Sequence, residues 1–191
     1  MSNELRDGAA GGGIGAWYNF VWDKLSGEGG FSNLGVVIDR NELRLDIQDL
    51  KKAGKKIVFT NGCFDLLHPG HIKLLEQAKS LGDVLIVGIN SDASVRKNKG
   101  ANRPVMPEGE RAEILAGLDA VDYVVVFDEA TPRELIAAIL PNILVKGSDW
   151  GADEIVGREE VERAGGRVVS IPVEPGFSTT NLILRIQRLR A

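Results

Sequence analysis

The chain contains two histidines, His68 and His71, and both lie in the stretch NGCFDLLHPGH. A neutral imidazole carries one N–H donor and one acceptor nitrogen, and its pKa lies near 6.5, so such a pair can bind or stabilise charge close to neutral pH. Pro69 suits the first position of a helix, and Gly70 leaves the backbone between the two rings open. Residues three apart can face the same side of a turn. The pattern predicts a binding site for phosphate.

The predicted helix after the histidines adds a second attraction for anions. Unpaired N–H groups at a helix N-terminus favour negative charge by about 0.3–1 kcal/mol when exposed, and by up to about 2 kcal/mol when partly buried. Two imidazoles above such a terminus would donate hydrogen bonds to a triphosphate. The residues expected to contact the nucleotide here are Thr60, Asn61, Gly62, Cys63, Phe64 and Gly70.

Two other interpretations of the histidine pair are open. Both rings could be surface residues or helix caps, although their joint placement between a predicted strand and a predicted helix disfavours this. A zinc site is the second alternative, but His-x-x-His supplies two ligands and the chain has one cysteine, Cys63. A closed zinc site would therefore need carboxylates.

A basic segment, NSDASVRKNKGANRP (90–104), follows the second predicted strand and is interpreted as a loop. A solvated basic loop is the simplest interpretation, but its place at the carboxyl end of a strand favours binding of a sugar phosphate or of pyrophosphate. Charge-assisted bonds to phosphate are roughly twice as strong as neutral ones. Lys99 is the preferred catalytic cation, and the predicted substrate contacts are Asn90, Asp92 and Arg103.

The stretch LVKGSDW (144–150) ends another predicted strand. Lys146 points into the expected ligand crevice if the strand alternation continues, which makes it a candidate catalytic residue. Asp149 could bond sugar hydroxyls or help to hold magnesium, and Trp150 could contact a sugar or a base. The alternative is a turn with an incidental lysine.

Three hydroxyl side chains, Ser178, Thr179 and Thr180, begin the last predicted helix. Ser and Thr are preferred helix caps. Hydroxyl and N–H groups at such a position also bind phosphate. The two roles are compatible, and we expect nucleotide contacts here.

Three residues near these segments have open roles. Asp65 either orients the turn after the first predicted strand, through its backbone, or contacts substrate or metal. Arg111 is interpreted as a helix-surface residue or a structural ion-pair residue. Cys63 is expected to be packed and unreactive, and no Ser/Cys–His–acid arrangement that would supply a protein nucleophile is evident.

Apolar runs of strand length alternate with amphipathic helical segments from Val36 onward. This alternation predicts an α/β fold with a doubly wound, five-stranded parallel sheet of Rossmann-like type. Such sheets bind ligands at the carboxyl ends of the strands, where the strand order reverses. The histidine turn directly follows the first predicted strand, KIVFTN.

Residues 1–35 differ from the predicted domain, which covers residues 36–191. Glycine-rich stretches flank AWYNFVWDKL, an aromatic segment expected to form a short helix that docks on the domain or on a partner subunit. A membrane-surface anchor is disfavoured because the segment lacks a basic face. A linker remnant or cloning tail is the remaining alternative.

Composition limits the possible partners. The chain of 191 residues is 43% hydrophobic and 26% charged, and its formal charge of −4 gives no general attraction to nucleic acid or an anionic membrane. A single cysteine suits a reducing cytoplasm. No apolar run approaches the roughly 20 residues that span a bilayer, and no secretory signal is evident. We expect a cytoplasmic protein with small-molecule substrates and neither a nucleic-acid nor a membrane partner.

The stretch NGCFDLLHPGH resembles the signature of the His-x-Gly-His nucleotidyltransferases, which include cytidylyltransferases and adenylyltransferases. These enzymes transfer a nucleoside monophosphate to a phosphorylated small molecule and release pyrophosphate. The resemblance implies that His68 and His71 contact the triphosphate. It also implies an in-line attack without a protein nucleophile, ATP as a substrate, Mg²⁺ as a cofactor and a homodimer.

The segments NSDASV, TPRELI, LVKGSDW and STTNLI together resemble the heptose 1-phosphate adenylyltransferases, which occur alone or fused to a heptose 7-phosphate kinase. The resemblance implies transfer of AMP to heptose 1-phosphate, giving ADP-heptose. The chain departs from glycerol-phosphate cytidylyltransferases, because Val173 and Glu174 replace the Arg-Thr of their R-T-E-G-I-S-T run. One alternative is a cytidylyltransferase-type enzyme that acts on glycerol 3-phosphate or another small phosphorylated acceptor. The other is a nucleotide-binding module without catalysis.

Overall fold

The computed structural model describes residues 34–147, 155–172 and 176–189. The strands in these residues are β1 (Val36–Val37), β2 (Ile57–Gly62), β3 (Val84–Asn90), β4 (Tyr123–Phe127), β5 (Ile143–Gly147) and β6 (Arg167–Ile171). The helices are α1 (Arg40–Lys52), α2 (Pro69–Lys79), α3 (Asp92–Lys99), α4 (Glu108–Ala116), α5 (Arg133–Ile139), α6 (Arg158–Arg163) and α7 (Thr179–Arg188). The expected boundary between an extension and the domain, at residues 35 and 36, remains a prediction.

The strands form one parallel sheet in the order β1-β4-β3-β2-β5-β6. The chain moves outward from β2 through β3 to β4, and then returns to place β5 on the other side of β2. Right-handed crossovers after such a reversal put helices on both faces of the sheet. The doubly wound α/β fold is confirmed, and its switch point lies between β2 and β5.

The predicted number of strands, five, was wrong, because the described residues form six. The additional strand is β1, which pairs Val36 with Tyr123 at the edge of the sheet. Two residues are too few to show the alternation by which a strand is detected in a sequence.

Burial on both faces explains why the central strands are continuous apolar runs. All seven residues of β3 are buried, from Val84 to Asn90. One face packs against α1, α5 and α6 through residues such as Leu43, Leu135 and Val161. The other face is covered by α2 and α4, where Leu75 and Leu115 have no exposed surface. Parallel sheets need this double cover because neither face can be left apolar in water.

The interpretation of residues 90–104 as a loop was wrong for residues 92–99, which form α3. Ser91 caps this helix, since its Oγ accepts a hydrogen bond from Ser94 N at 3.2 Å. Gly100 ends it with a φ of 96°. The Asn-Ser-Asp string is typical of turns, but the same residue types also begin helices. Within the described residues, no helix has the length and apolar character needed to cross a membrane.

The packing of Gly88 in β3 gives a stability prediction. A Cβ at this position would lie 2.8 Å from Phe59 Cζ and 3.2 Å from Leu135 Cδ2. The variant Gly88→Ala should therefore lower the free energy of unfolding by about 1–3 kcal/mol, because the buried ring must move. Urea denaturation measures this change. Gly117→Ala is the control, since its nearest contact would be Ile114 O at 3.4 Å. Equal effects in the two variants would contradict this account of the packing.

Candidate functional site

The histidine turn, residues 63–71, runs from the end of β2 into the first turn of α2, beside the switch point. Phe64, in this turn, adopts a left-handed backbone conformation with a φ of 46°, which is uncommon for a bulky residue. Its side chain is 4% exposed. A Cβ on Gly62 would lie 3.1 Å from the Phe64 ring, so glycine at this position makes room for that ring. The turn is therefore held in a specific and strained shape.

The two imidazoles stack on each other. The ring centroids of His68 and His71 are 3.7 Å apart and the ring planes differ by 15°. Phe64 packs on His71 at 5.2 Å, and Phe177 packs on His68 at 6.2 Å, so four rings form one column. A Cβ on Gly70 would meet His68 Nδ1 at 3.2 Å and Phe177 Cβ at 3.3 Å. A side chain at this position would therefore crowd both rings, and glycine avoids that crowding.

Burial makes the imidazole pair electrically neutral near pH 7. It lowers the pKa of His71 to about 4, with the neighbouring His68 as the second cause, and it also lowers the pKa of His68. Each Nδ1 is buried and has no hydrogen-bond partner in the part of the chain that the structure describes. An unprotonated Nδ1 leaves no buried N–H donor without a partner, and orphaned N–H donors are rare in folded proteins. We therefore assign the proton of each neutral ring to Nε2.

Two helix N-termini meet at the column of rings. His68 precedes α2, and no side chain caps this helix. Ser178 precedes α7, and its Oγ accepts a hydrogen bond from Asn181 N at 3.0 Å. Thr179 Oγ1 donates to the Leu66 carbonyl at 3.3 Å, which ties the start of α7 to the first turn. Two positive helix ends beside two imidazoles form an arrangement suited to a polyphosphate.

Lys146 lies next to this arrangement, on the neighbouring strand. It is half-buried near the end of β5, and its Nζ donates a hydrogen bond to Oδ1 of Asn61 at the end of β2. Thr60 precedes Asn61 and is 1% exposed within the sheet. Thr180 is exposed in the first turn of α7. The structure thus brings Lys146, Asn61 and the histidine turn together, as the sequence predicts for the end of parallel strands.

Asp65 binds other parts of the protein with both carboxylate oxygens. Its side chain accepts hydrogen bonds from Arg103 Nε at 2.5 Å, Val105 N at 2.7 Å and Met106 N at 3.0 Å. The residue is 2% exposed. The carboxylate therefore fixes the 103–106 segment against the turn that contains Asp65, and the two roles left open for this residue remain predictions. Arg103, a predicted substrate contact, is therefore held beside the first turn.

Asn90 and Asp92 also serve internal contacts. Asn90 Nδ2 donates to Ser94 Oγ at 3.0 Å, and Asp92 accepts a hydrogen bond from Arg111 Nη2 at 2.8 Å. Asn90 is 6% exposed, and the Asp92 side chain is about a quarter exposed. Their predicted substrate contacts remain predictions, and the observed bonds place both residues in a polar network beside the crevice.

Arg111 is the residue whose importance the sequence analysis missed. The ion-pair interpretation is confirmed, but the residue is 1% exposed and does not lie on the helix surface. It lies four residues before the buried Leu115 on α4, so the i, i+4 spacing indicates the inner face of that helix. That spacing is the signal from which its burial could have been predicted.

Positive charges surround the first turn. Lys99 is exposed at the last residue of α3. Burial raises the pKa of the Cys63 thiol, whereas the charges of Lys99, Arg111 and Arg103 act in the opposite direction. Cys63 is therefore mainly a protonated thiol, as expected for a packed residue. The predicted contacts of Asp149 and Trp150, and the departure at Val173 and Glu174, lie outside the described residues.

A metal site built from protein ligands alone is not seen in residues 34–147, 155–172 and 176–189. No group of three or more His, Cys, Asp or Glu side chains in these ranges could hold a metal ion. The donors available at the first turn are imidazole, backbone N–H and ammonium groups, which suit an anion.

Comparison with known proteins identifies similar sequences and folds. A family model described as cytidylyltransferase-like matches residues 59–185. The bifunctional protein HldE of Pelobacter propionicus is 57% identical over 148 residues, and that of Geobacter metallireducens is 58% identical over 142 residues. These matches cover 78% and 74% of the chain, but only 30% and 29% of the relatives. The chain thus spans less than a third of the length of these two curated relatives.

Two solved structures share the architecture. The lipopolysaccharide core biosynthesis protein of Thermoplasma volcanium aligns with a TM-score of 0.54 at 29% identity, covering 63% of this chain and 98% of its own. Pantoate-beta-alanine ligase of Francisella tularensis, in complex with an ATP compound and β-alanine, aligns with a TM-score of 0.54 at 18% identity. The latter covers 82% of this chain and 78% of its own, and at this identity it supports the fold alone.

The low pKa of His71 predicts acid sensitivity of the fold. In the unfolded chain its pKa is near 6.5, so between about pH 4 and 6.5 the unfolded state binds more protons than the folded state. The His71 contribution to stability is therefore complete above pH 6.5 and is lost as the pH falls toward 4, by up to about 3 kcal/mol. Urea denaturation of the wild type and of His71→Gln over this range should show a difference that shrinks on acidification. A difference independent of pH would contradict the buried, neutral state.

Proposed function

The chain belongs to the cytidylyltransferase-like family and is a nucleotidyltransferase, and we propose that it transfers AMP from ATP to a heptose 1-phosphate. The products are ADP-heptose and pyrophosphate. The observation that carries the proposal is the stacked imidazole pair between two helix N-termini at the switch point of the sheet. This arrangement has the donors and the positive potential that a nucleoside triphosphate requires.

The choice of acceptor and base is supported by sequence. The segments NSDASV, LVKGSDW and STTNLI resemble those of heptose 1-phosphate adenylyltransferases, and two HldE proteins are 57–58% identical to this chain over 142–148 residues. The similarity to a lipopolysaccharide core biosynthesis protein agrees with a sugar-nucleotide product. The match covers 30% and 29% of the two HldE proteins, and no activity of the remaining part is proposed for this chain.

The proposed reaction is a single in-line displacement. A phosphate oxygen of the heptose 1-phosphate attacks the α-phosphorus of ATP, and the bond between that phosphorus and the oxygen bridging to the β-phosphorus breaks. Pyrophosphate leaves with the bonding electrons. Catalysis of this type depends on positioning and on stabilising the charge that develops on the oxygens, so no protein nucleophile is needed.

Different residues at the crevice bind the triphosphate and neutralise its charge. His68 and His71 donate from Nε2 to oxygens of the triphosphate, and the N-terminal N–H groups of α2 and α7 bind the same group. Binding of the anion favours the imidazolium form, so the pair can gain positive charge as the transition state forms. Lys146 and Lys99 neutralise further negative charge. Residues 60–64 and Ser178–Thr180 contact the rest of the nucleotide.

Magnesium enters this proposal with the substrate. Because the described residues form no cluster of metal ligands, the ion would be held mainly by phosphate oxygens of ATP, with Asp149 as a further proposed ligand. Asp149 and Trp150 are also proposed to contact the heptose, together with Arg103. A homodimer is proposed as the assembly.

A pyrophosphate-release assay tests the substrates. The protein is incubated with ATP, CTP or GTP and with either anomer of heptose 1-phosphate or with glycerol 3-phosphate. We expect release only with ATP and one heptose 1-phosphate anomer. Release with CTP and glycerol 3-phosphate would assign a cytidylyltransferase activity, and binding of ATP without release for any acceptor would indicate a module without catalysis.

The role of the imidazoles is tested by His71→Ala. Loss of one donor to the developing charge should lower kcat by about a hundredfold, or about 3 kcal/mol, in a variant that still folds. Gln77→Ala, an exposed position on the same helix, is the control and should keep wild-type turnover. Near-normal kcat in His71→Ala would remove the imidazole pair from the mechanism.

A further inference from the structure

Arg111 makes three contacts that join distant parts of the chain. Its Nη1 donates to the carbonyl of Cys63 at 2.6 Å, its Nε donates to the carbonyl of Met106 at 3.0 Å, and its Nη2 binds Asp92 Oδ1 at 2.8 Å. These partners lie 48, 5 and 19 residues away in sequence. The guanidinium group uses all three of its nitrogens, and a planar fork is suited to such an arrangement.

Each partner of Arg111 belongs to a segment that carries a proposed site residue. The Cys63 carbonyl directly precedes Phe64, whose left-handed conformation shapes the histidine turn. Asp92 begins α3, the helix that ends at Lys99. Met106 ends the 103–106 segment that contains Arg103. Arg111 itself lies on the inner face of α4 and is 1% exposed.

Asp65 completes a ring of contacts with Arg111. The carboxylate of Asp65 binds the N–H groups of Val105 and Met106, and Arg111 binds the carbonyl of Met106. Arg111 also binds the carbonyl of Cys63, two residues before Asp65. The 103–106 segment and the first turn are therefore fixed to each other from both sides, by two side chains that are 1–2% exposed.

Stability is a poor explanation for this arrangement. Burying the Arg111 charge costs free energy that its attraction to Asp92, whose side chain is about a quarter exposed, need not offset. Apolar replacements of buried ion pairs are frequently neutral or stabilising. What an apolar side chain cannot supply is the simultaneous orientation of two carbonyls and a carboxylate. The distinctive property of Arg111 is therefore the geometry that it imposes on three segments.

We infer that Arg111 is a positioning residue for the candidate active site, which fixes the histidine turn, the start of α3 and the 103–106 segment relative to one another. The part of this inference that concerns turnover rests on the proposed function. Through the Cys63 carbonyl and Phe64, Arg111 maintains the stack of His68 on His71. Through Asp92 and Met106 it sets the places of Lys99 and Arg103.

The chain allows a direct test, because its two histidines give two imidazole Cε1–H signals in a proton NMR spectrum of protein without a histidine tag. The variants are Arg111→Met and Arg111→Lys. The control is Lys79→Met, which breaks the pair of Lys79 with Asp122 at 2.6 Å and a bond to the Asp83 carbonyl at 2.7 Å, at the opposite end of the sheet. Circular dichroism establishes that each variant is folded.

In the wild type and in Lys79→Met, we expect the titration midpoints of both histidine signals to lie below about 6.5, the pKa of an unperturbed histidine. In Arg111→Met the midpoints should move toward that value, because a loosened turn exposes the rings to water. The kcat for pyrophosphate release should fall by about 10- to 100-fold with a smaller change in KM for ATP, since misplacement of reacting groups mainly affects the transition state.

Arg111→Lys separates geometry from charge. A single ammonium cannot replace a planar fork with three acceptors, so the lysine variant should resemble Arg111→Met. Restoration of both readouts by lysine would overturn the inference, because charge opposite Asp92 would then be sufficient. Wild-type titrations and kcat in Arg111→Met would also overturn it. If Arg111→Met does not fold, the histidine titrations and the kcat of Arg111→Lys alone test the inference.

The two readouts keep this inference separate from the proposed function. The histidine titration needs no substrate. If the wild type releases no pyrophosphate with any acceptor, the proposed function fails, whereas the NMR comparison still shows whether Arg111 positions the histidine turn.

Discussion

Contact between two imidazole faces at 3.7 Å is the interaction around which the candidate site is organised. Two rings this close cannot both carry a positive charge at low cost unless an anion lies beside them. In the protein alone the pair is therefore neutral, and Phe64 and Phe177 pack on it as they would on other aromatic rings. Under the proposed function, a bound polyphosphate would supply the negative charge that allows the pair to become protonated. The packing contact and the candidate phosphate site are thus formed by the same residues.

The contact depends on two segments separated by more than a hundred residues. Thr179 donates a hydrogen bond to the carbonyl of Leu66, and Phe177 lies against His68. The start of the last described helix therefore contacts the turn after β2 and adds the fourth ring to the column. Parallel strands around a switch point make this possible, because the loops that follow them all open at one edge of the sheet. Beneath the loops, Arg111 and Asp65 hold the connecting backbone in place. Both are buried charges, which are costly unless every bond is made.

Long periodic segments were predicted well. The seven buried residues of β3 and the apolar face of α2 follow directly from the pattern of the sequence, and so does the parallel, doubly wound arrangement. Two short elements were not predicted. Val36–Val37 is a strand only because Tyr123 and Val124 lie beside it, and residues 92–99 form a helix because Val95 finds a buried position against the sheet. Local pattern carries little information where a tertiary contact selects the structure.

The sequence by itself determined that His68, Gly70 and His71 lie at the start of a helix that follows a strand, because residue spacing and backbone preference are local properties. It also determined that Lys146 and Asn61 end parallel strands, which meet at one edge. Only the tertiary structure decided that the imidazoles stack, that Asp65 binds the 103–106 segment, and that Arg111 donates a hydrogen bond to the Cys63 carbonyl. Such contacts join residues far apart in the chain, and their distances and solvent exposure, which set pKa and charge, exist only once the chain has folded.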